Sequence, residues 1–377
     1  MTWPGVTVVV VHRGSPALLA GCLSSVRALD YPKSRLDLIV VEKERTPAIS
    51  RLLGRRPCAL HLSSDLNNYC RANNLAVRRA RTPLVALLNN DCRVRPDWLG
   101  RLVATLRLDP GLGGCMGKIL MPSGKIYSAG HEVLKAGHWR DLGFGQTDGL
   151  AFDLPRARQS LTHAACVFRR EAYLQVGGMD ERFLMYFDDV ELGYRLRRKG
   201  WRFFYVPAAT AVHQRWPDSE SPWRAFLCHR NRLFFAAKHR PDHLEAWISH
   251  SHLTHDPAAH LLLYQVLPEI VERISTLRGK AAAKRLLPAL DRAMTRKGVP
   301  AAFRATVLDR AARASQGHCP DLLLRSADEV REWRFLDECQ KAWEEALRLQ
   351  SPGEAPRPRE GRPSPRPASG PCKGPRS

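Results

Sequence analysis

The chain has 377 residues, 44% of them hydrophobic, and a formal net charge of +22. That length suggests one large domain with an appendage, and the apolar content is ample for a buried core. The ten cysteines contain no C-x-x-C pair, which argues against a zinc site or a disulfide framework and favours a reducing compartment.

Lysine and arginine occur along the whole length. This pattern is compatible with nucleic acid, an anionic membrane surface, phosphate-rich ligands, or simply an arginine-biased genome. No nucleic-acid reading module and no basic stretch interleaved with aromatics backs the first of these. The chain starts Met1-Thr2-Trp3-Pro4-Gly5 and runs directly into an apolar segment, without a secretory signal. No window approaches the roughly 20 apolar residues of a membrane span. The expectation is a cytoplasmic protein, with peripheral contact at the inner face of the membrane left open.

Val6 to Val11 is a short β-branched run between Gly5 and Gly14, as expected of a strand buried on both faces. Residues 16 to 29 switch to helical spacing, with Leu18, Leu19, Cys22, Leu23 and Val26 on one stripe. Strands follow at Leu38–Val41 and Ala59–Leu62, then a helix around Ala72–Ala80 and a strand at Leu84–Leu88. Strand–helix alternation with continuous apolar strands predicts a mostly parallel central sheet with helices on both faces. Pro96 and Asp97 open a further helix over Trp98–Leu108. From about 110 to 160 the sequence is Gly-rich and weakly periodic, which predicts loops and short strands. Regularity returns at Arg169–Gly200, with a strand at Arg202–Val206. Beyond 240 the pattern is helical, with Val266, Ile270, Val271, Ile274 and Leu277 at helical intervals. The expected units are 1–240, a helical region 241–350, and a disordered Pro/Arg-rich tail 351–377.

Chemistry concentrates where strands end. In an open α/β sheet, ligands bind beyond the carboxyl ends of the strands. Val11-His12-Arg13-Gly14, Val41-Glu42 and Asn89-Asn90-Asp91 all fall at such ends and should converge. A second acidic group, Asp188-Asp189-Val190-Glu191, opens a helix about a hundred residues later. Two acidic sites from two halves of one domain suit an enzyme that handles a metal-bound phosphate and also removes a proton. The plainer alternative is a capping box, with Asp188 and Glu191 satisfying the free N–H groups of the helix start. That reading leaves Asp189 unexplained. His213, after the strand at 202–206, is a candidate metal or phosphate ligand. Neither G-x-G-x-x-G after the first strand nor a P-loop is present, so the dinucleotide and P-loop readings lose their main support.

In order, Asp65-Leu-Asn-Asn-Tyr-Cys-Arg-Ala-Asn-Asn-Leu75, Leu87-Leu-Asn-Asn-Asp-Cys-Arg-Val94, Ala164-Ala-Cys-Val-Phe-Arg-Arg170, Val176-Gly-Gly-Met-Asp-Glu181, Phe187-Asp-Asp-Val-Glu-Leu192, Ala211-Val-His213 and Arg230-Asn231-Arg232 resemble the inverting family 2 glycosyltransferases, especially their bacterial rhamnosyltransferase-like branch. The resemblance covers roughly residues 5 to 240 and implies an A-type glycosyltransferase fold. It implies donor contacts at Val11, His12, Glu42, Asn68, Asn74, Asn90 and Asp91. It further implies a divalent cation, Mg²⁺ or Mn²⁺, on Asp91 with His213 as a second ligand, and a general base at Asp189 with Asp188 beside it. The partners would be a nucleotide-sugar donor and a saccharide or lipid-linked acceptor. The chain departs from the family pattern at Glu42, where Asp is usual, at Asn89, the first acidic position of D-x-D, and at Lys43-Glu44-Arg45-Thr46, which lacks the usual N-x-S-x-D. Those departures motivate an alternative, a catalytically silent nucleotide-sugar or partner-binding module.

Overall fold

The computed structural model describes residues 2–42, 47–53, 59–63, 68–133, 139–214, 222–241, 244, 257–296 and 298–316. Residues 43–46, where the strand-end motif departs from the family pattern, and the Pro/Arg-rich 351–377 lie outside the described residues.

The valine run forms strand β1 (Val6–Val11), whose Val6, Val8, Val9 and Val10 are fully buried. Side chains branched at Cβ lose little freedom on a pleated surface, and here both faces of the strand are covered. Helix α1 (Pro16–Arg27) buries Leu19, Cys22, Leu23 and Val26, the predicted stripe without Leu18. Ser15 caps α1 by accepting from the Ala17 N–H, and Pro16 stands at its first turn. Strand β2 (Leu36–Glu42), helix α2 (Pro47–Leu53) and strand β3 (Ala59–Ser63) follow. Next come helix α3 (Tyr69–Arg79), strand β4 (Leu84–Asn89), the short β5 (Cys92–Val94) and helix α4 (Trp98–Leu108).

The 110–160 segment differs from expectation at its start. Leu112–Leu120 is β6, a nine-residue strand deep in the sheet. Its glycines hid it, because they interrupt the apolar pattern that marks a buried strand. They are there for space. A Cβ on Gly117 would sit 1.5 Å from the carbonyl oxygen of Ala209, and one on Gly114 would sit 2.8 Å from that of Val167. The rest is short, as expected: β7 (Ile126–Ser128), the hairpin of β8 (His131–Val133) with β9 (Trp139–Asp141), and β10 (Arg156–Arg158). Strand β11 (Ala165–Arg169) leads into helix α5 (Arg170–Gln175), and helix α6 (Asp188–Arg198) into strand β12 (Arg202–His213). The predicted strand stopped at Val206 because Pro207 cannot donate to a ladder. The chain absorbs this with a register shift between Val206 and Thr210, and pairing then resumes to His213.

The strands order as β10-β12-β6-β11-β4-β1-β2-β3, with β5 added to β12 and β7 to β6. Strands β12, β6, β4, β1, β2 and β3 run one way, while β11 runs antiparallel between β4 and β6. Val11 pairs with Val41 on one side and Asn89 on the other, so three carboxyl ends lie abreast. Beyond β12, helix α7 (Pro222–His239) leads to helices α8 (Pro257–Arg278), α9 (Lys280–Arg296) and α10 (Ala301–Ser315). Val266, Ile270, Val271 and Ile274 of α8 are buried, as their spacing predicts, whereas Leu277 is 37% exposed. Helix α8 is pinned to α7 by a buried ion pair, in which Arg230 Nε donates to Glu269 Oε2 at 2.7 Å. Breaking such a pair from one side costs about 3–5 kcal/mol. No helix among the described residues is long and apolar enough to cross a membrane.

Candidate active site

At the strand ends, hydrogen bonds tie β1, β2 and β4 together. The His12 N–H donates to the Val41 carbonyl at 2.8 Å. Asn90 Nδ2 donates to the Arg13 carbonyl at 3.1 Å and lies 2.9 Å from His12 Nδ1. Burial lowers the His12 pKa, so its ring is neutral and Nδ1 is free to accept that bond. Glu42 is buried at the end of β2. Asn89, at the end of β4, accepts from the Tyr69 hydroxyl of α3 at 3.0 Å.

One residue further, Asp91 meets the end of β12. His213 pairs with Cys92 across the β12–β5 ladder, and its Nε2 lies 3.4 Å from Asp91 Oδ1. Potential ligand atoms of Asp91, Cys92 and His213 all lie within 4.8 Å of one another. The three are unequal as ligands. Burial, with Asp91 adding, pushes the Cys92 thiol well above its ordinary pKa, so it stays protonated. That leaves a carboxylate oxygen and an imidazole nitrogen, a donor pair that fits a hard divalent cation such as Mg²⁺ or Mn²⁺. The His213 ring stacks on Tyr127, with centroids 4.4 Å apart and 10° between planes.

The second acidic group follows a stretch of unusual backbone. Leu184, Tyr186 and Phe187 have φ of 63°, 66° and 62°, a left-handed region that bulky side chains avoid. Asn231 of α7 stabilises it. Its amide nitrogen lies 2.8, 2.8 and 2.7 Å from the carbonyl oxygens of Phe183, Met185 and Tyr186. This turn sets the direction in which Asp188 and Asp189 leave the chain. Asp188 is buried, and its Oδ2 accepts from His163 Nδ1 at 3.0 Å. Asp189 is 19% exposed on its side chain, and its Oδ2 lies 3.4 Å from His131 Nε2. The same nitrogen lies 3.2 Å from Asp141 Oδ1. Burial raises the Asp189 pKa and the carboxylates of Asp188 and Asp141 add to it, while His131 and His163 oppose. Burial alone would lower the His131 pKa, but Asp189 and Asp141 outweigh it and hold it at about 9. The His131 ring is therefore cationic at neutral pH.

These groups face a cavity of about 470 Å³. Its lining includes Asp188, Asp189, His131, His163 and Asp141, together with Tyr69, Asn89, Tyr127, Trp139, Arg140, His229 and Arg232. Tyr127 touches both His213 and the cavity, so the Asp91–His213 pair and the Asp188–Asp189 pair are neighbours. A volume of that size accommodates a small polar ligand.

The capping-box alternative is not what forms. Phe187 occupies the cap of α6 without a side-chain hydrogen bond. Glu191 turns inward instead, and Arg195, Lys238 and His239 surround its carboxylate at 2.5–2.9 Å. Burial alone would raise the Glu191 pKa, but these three groups push it far below the ordinary range.

Asn68 and Asn74 have other partners than the expected donor. Asn68 caps α3, accepting from the Arg71 N–H at 3.0 Å, and donates to the Glu181 carbonyl at 2.7 Å. Asn74 is 2% exposed. It accepts from the Tyr173 hydroxyl and the Met179 N–H and donates to the Met179 carbonyl and Glu181 Oε1. Both brace the 179–181 loop that precedes the strained turn. His131, Asp141 and His163 did not emerge from sequence reasoning. None of them belongs to a periodic pattern or motif, and only the fold brings them to Asp188 and Asp189.

Comparison with known proteins identifies the family. O-antigen biosynthesis protein RfbC of Myxococcus xanthus is 34% identical over 227 residues, covering 56% of this chain and 17% of that protein. An N-acetylglucosaminyl-diphospho-decaprenol L-rhamnosyltransferase of Mycobacterium tuberculosis is 47% identical over 55 residues, 15% of this chain and 18% of that enzyme. The chain thus matches less than a fifth of the length of either relative. The crystal structure of GalNAc-T7 with UDP, GalNAc and Mn²⁺ is similar in fold, with a TM-score of 0.50 at 14% identity over 64% of this chain and 51% of that one. The family described as Glycosyltransferase like family 2 matches residues 4–235, a span that includes both acidic sites, and the chain belongs to that family.

Proposed function

We propose that the protein transfers a sugar from a nucleotide-sugar donor to a hydroxyl of a saccharide or lipid-linked acceptor, with inversion at the anomeric carbon. The observation that carries the proposal is Asp189, a carboxylate with a raised pKa in the wall of a cavity that abuts the Asp91–His213 pair. In the reaction, Asp189 accepts the proton as the acceptor O–H bond breaks. The freed oxygen forms its bond to C1 of the sugar, and the C1–O bond to the diphosphate breaks from the opposite face, its electron pair leaving with the diphosphate. General-base help of this kind contributes typically about 10²- to 10⁴-fold. A raised pKa serves this role, because a base poised nearer neutrality takes a proton more readily.

Asp91 and His213 would hold a divalent cation, which when bound offsets charge on the departing diphosphate. The similarly folded GalNAc-T7 structure holds UDP, GalNAc and Mn²⁺, in keeping with a nucleotide-sugar donor. Asn90, His12 and Glu42 at the abreast strand ends are the proposed nucleotide contacts. The relatives' names, in O-antigen biosynthesis and rhamnosyl transfer to a lipid diphosphate, favour an acceptor of the cell envelope. The exposed Lys280, Lys284, Arg285, Arg292 and Arg296 of α9 would favour an anionic membrane face, at about 1 kcal/mol per basic residue.

A donor screen tests the proposal. Nucleotide-sugars of different bases and sugars are incubated with the full chain and Mn²⁺, and nucleoside diphosphate release is read with and without EDTA. Release that stops on chelation is expected. Donor binding without release from any donor would point instead to a silent binding module, and release insensitive to EDTA would remove the metal from the proposal.

A further inference from the structure

We infer that His131 and Asp141 are positioning residues for the reaction, the His131 ring standing between the carboxylates of Asp141 and Asp189 so as to keep Asp189 charged and aimed into the cavity. The inference rests on the reading of Asp189 as the base and extends it to two residues that touch no reacting atom.

The geometry is a chain of polar groups drawn from five segments and centred on a buried histidine. His131, on β8, is 5% exposed. Its Nε2 lies 3.2 Å from Asp141 Oδ1 on β9 and 3.4 Å from Asp189 Oδ2 on α6, and its Nδ1 lies 2.8 Å from Ser160 Oγ. The Thr162 hydroxyl donates to Asp141 Oδ1 at 3.3 Å and shares a 2.6 Å hydrogen bond with Ser128. Both ring nitrogens thus face oxygen, and the ring cannot tilt without losing one of these contacts. Two carboxylates within about 4 Å of one nitrogen repel unless a cation lies between them. A cationic His131 supplies it.

The surrounding charges sharpen the point. Asp189 is faced by Asp188 from its own helix, by Asp141 from β9 and by His163 from the turn before β11. Glu132, next to His131 on β8, is paired with Arg140, which lines the cavity with His229 and Arg232 of α7. The nearby Tyr69 phenol and Cys166 thiol are pushed well above their ordinary ranges, chiefly by burial, and stay neutral. Three carboxylates therefore line one cavity, and His131 bridges two of them. Without its charge, Asp189 would hold its proton to higher pH, and a protonated carboxylate accepts none.

The test reads ionisation directly and needs no substrate. The full chain, labelled with ¹³C at aspartate carboxyls and ¹⁵N at histidine rings, is titrated by NMR as wild type, His131→Gln, Asp141→Asn and Asp189→Asn, the last assigning the Asp189 signal. In wild type, His131 should hold its proton to about pH 9. His131→Gln should raise the Asp189 midpoint by about one unit, a tenfold change in its ratio of ionised to protonated forms. Asp141→Asn should lower the His131 midpoint, and this variant decides the matter if His131→Gln does not fold. A folded His131→Gln protein with an unshifted Asp189 midpoint overturns the inference, as does an Asp141→Asn protein with an unshifted His131.

Nucleotide release from UDP-glucose, UDP-galactose, GDP-mannose and dTDP-rhamnose supplies the kinetic arm. For any donor that wild type turns over, His131→Gln should move the acid limb of the kcat–pH profile up by about one unit, a roughly tenfold loss on that limb that fades toward pH 9, with KM little changed. An equal loss at every pH would mark a merely structural role and overturn the inference. If Asp189→Asn turns over like wild type while the NMR couplings hold, the base reading fails, and that result is distinct from any failure of the His131–Asp189 coupling.

Discussion

Asp189 and Glu191 leave the same turn of α6 two residues apart, yet their surroundings shift their pKa values in opposite directions. Glu191 is fully buried, and Arg195, Lys238 and His239 close on it at hydrogen-bonding distance. Asp189 lies beside two other carboxylates, Asp188 and Asp141, and its nearest cation, His131, sits 3.4 Å away and is shared with Asp141. Two cations, Arg195 and Lys238, with His239, whose pKa burial lowers, at hydrogen-bonding distance, make Glu191 a fastening between α6 and α7. Burial and the neighbouring carboxylates raise the Asp189 pKa, with His131 and His163 opposing, as the proposed base requires. The charges within reach thus set the two carboxylates apart.

Glu191→Gln should sharpen this contrast most. Removing one partner from a buried cluster strands the opposing charges, at about 3–5 kcal/mol, which urea unfolding would read as a lower midpoint. The pH signature has a definite sign. The folded-state pKa of Glu191 is depressed, so its contribution is fully present above its ordinary value of about 4.5 and is lost as pH falls below it. The unfolding midpoints of wild type and Glu191→Gln should therefore converge in acid. His131 has the opposite sign. Its pKa is raised from 6.5 to about 9, so its contribution is full below 6.5 and is lost as pH rises through about 9. Wild type and His131→Gln should converge in alkali. A gap that stays constant with pH in either case would break the contrast.

Next in size, Asp91→Ala should weaken Mn²⁺-dependent donor binding by about 100-fold, and His213→Ala by about tenfold, measured by calorimetry with nucleoside diphosphate and metal. Equal binding by wild type and Asp91→Ala would move the metal elsewhere. Asn231→Ala gives the smallest change in stability, about 1–3 kcal/mol, because three carbonyls of the strained turn lose their donor. Its kcat should fall with it, since that turn aims Asp189. A variant that loses stability but keeps full kcat would show that Asn231 fastens α7 and does no more.

The strands that carry the site were legible because β1, β2 and β4 are continuous apolar runs, and their ends, His12, Glu42 and Asn89 to Asp91, follow directly from that reading. Strand β6 was not, since Gly114 and Gly117 answer to the backbones of β11 and β12, which lie tens of residues away in the chain. The acidic turn was visible as a cluster, but its local spacing equally suggested a capping box. Only the fold separates the roles, sending Glu191 to α7 and Asp188 to His163. His131 and Asp141 left no trace in local patterning. Their significance comes from a hairpin that lays two polar side chains against α6.

The most direct measurement is nucleotide release at saturating donor by wild type and Asp189→Asn, with donor affinity determined on the same preparations. The substitution keeps size and most hydrogen bonding while removing the base. The account predicts a fall in release of about 10²-fold or more with donor Kd nearly unchanged. Release within a few-fold of wild type would contradict it and move the proton to another group, Asp188 first among them.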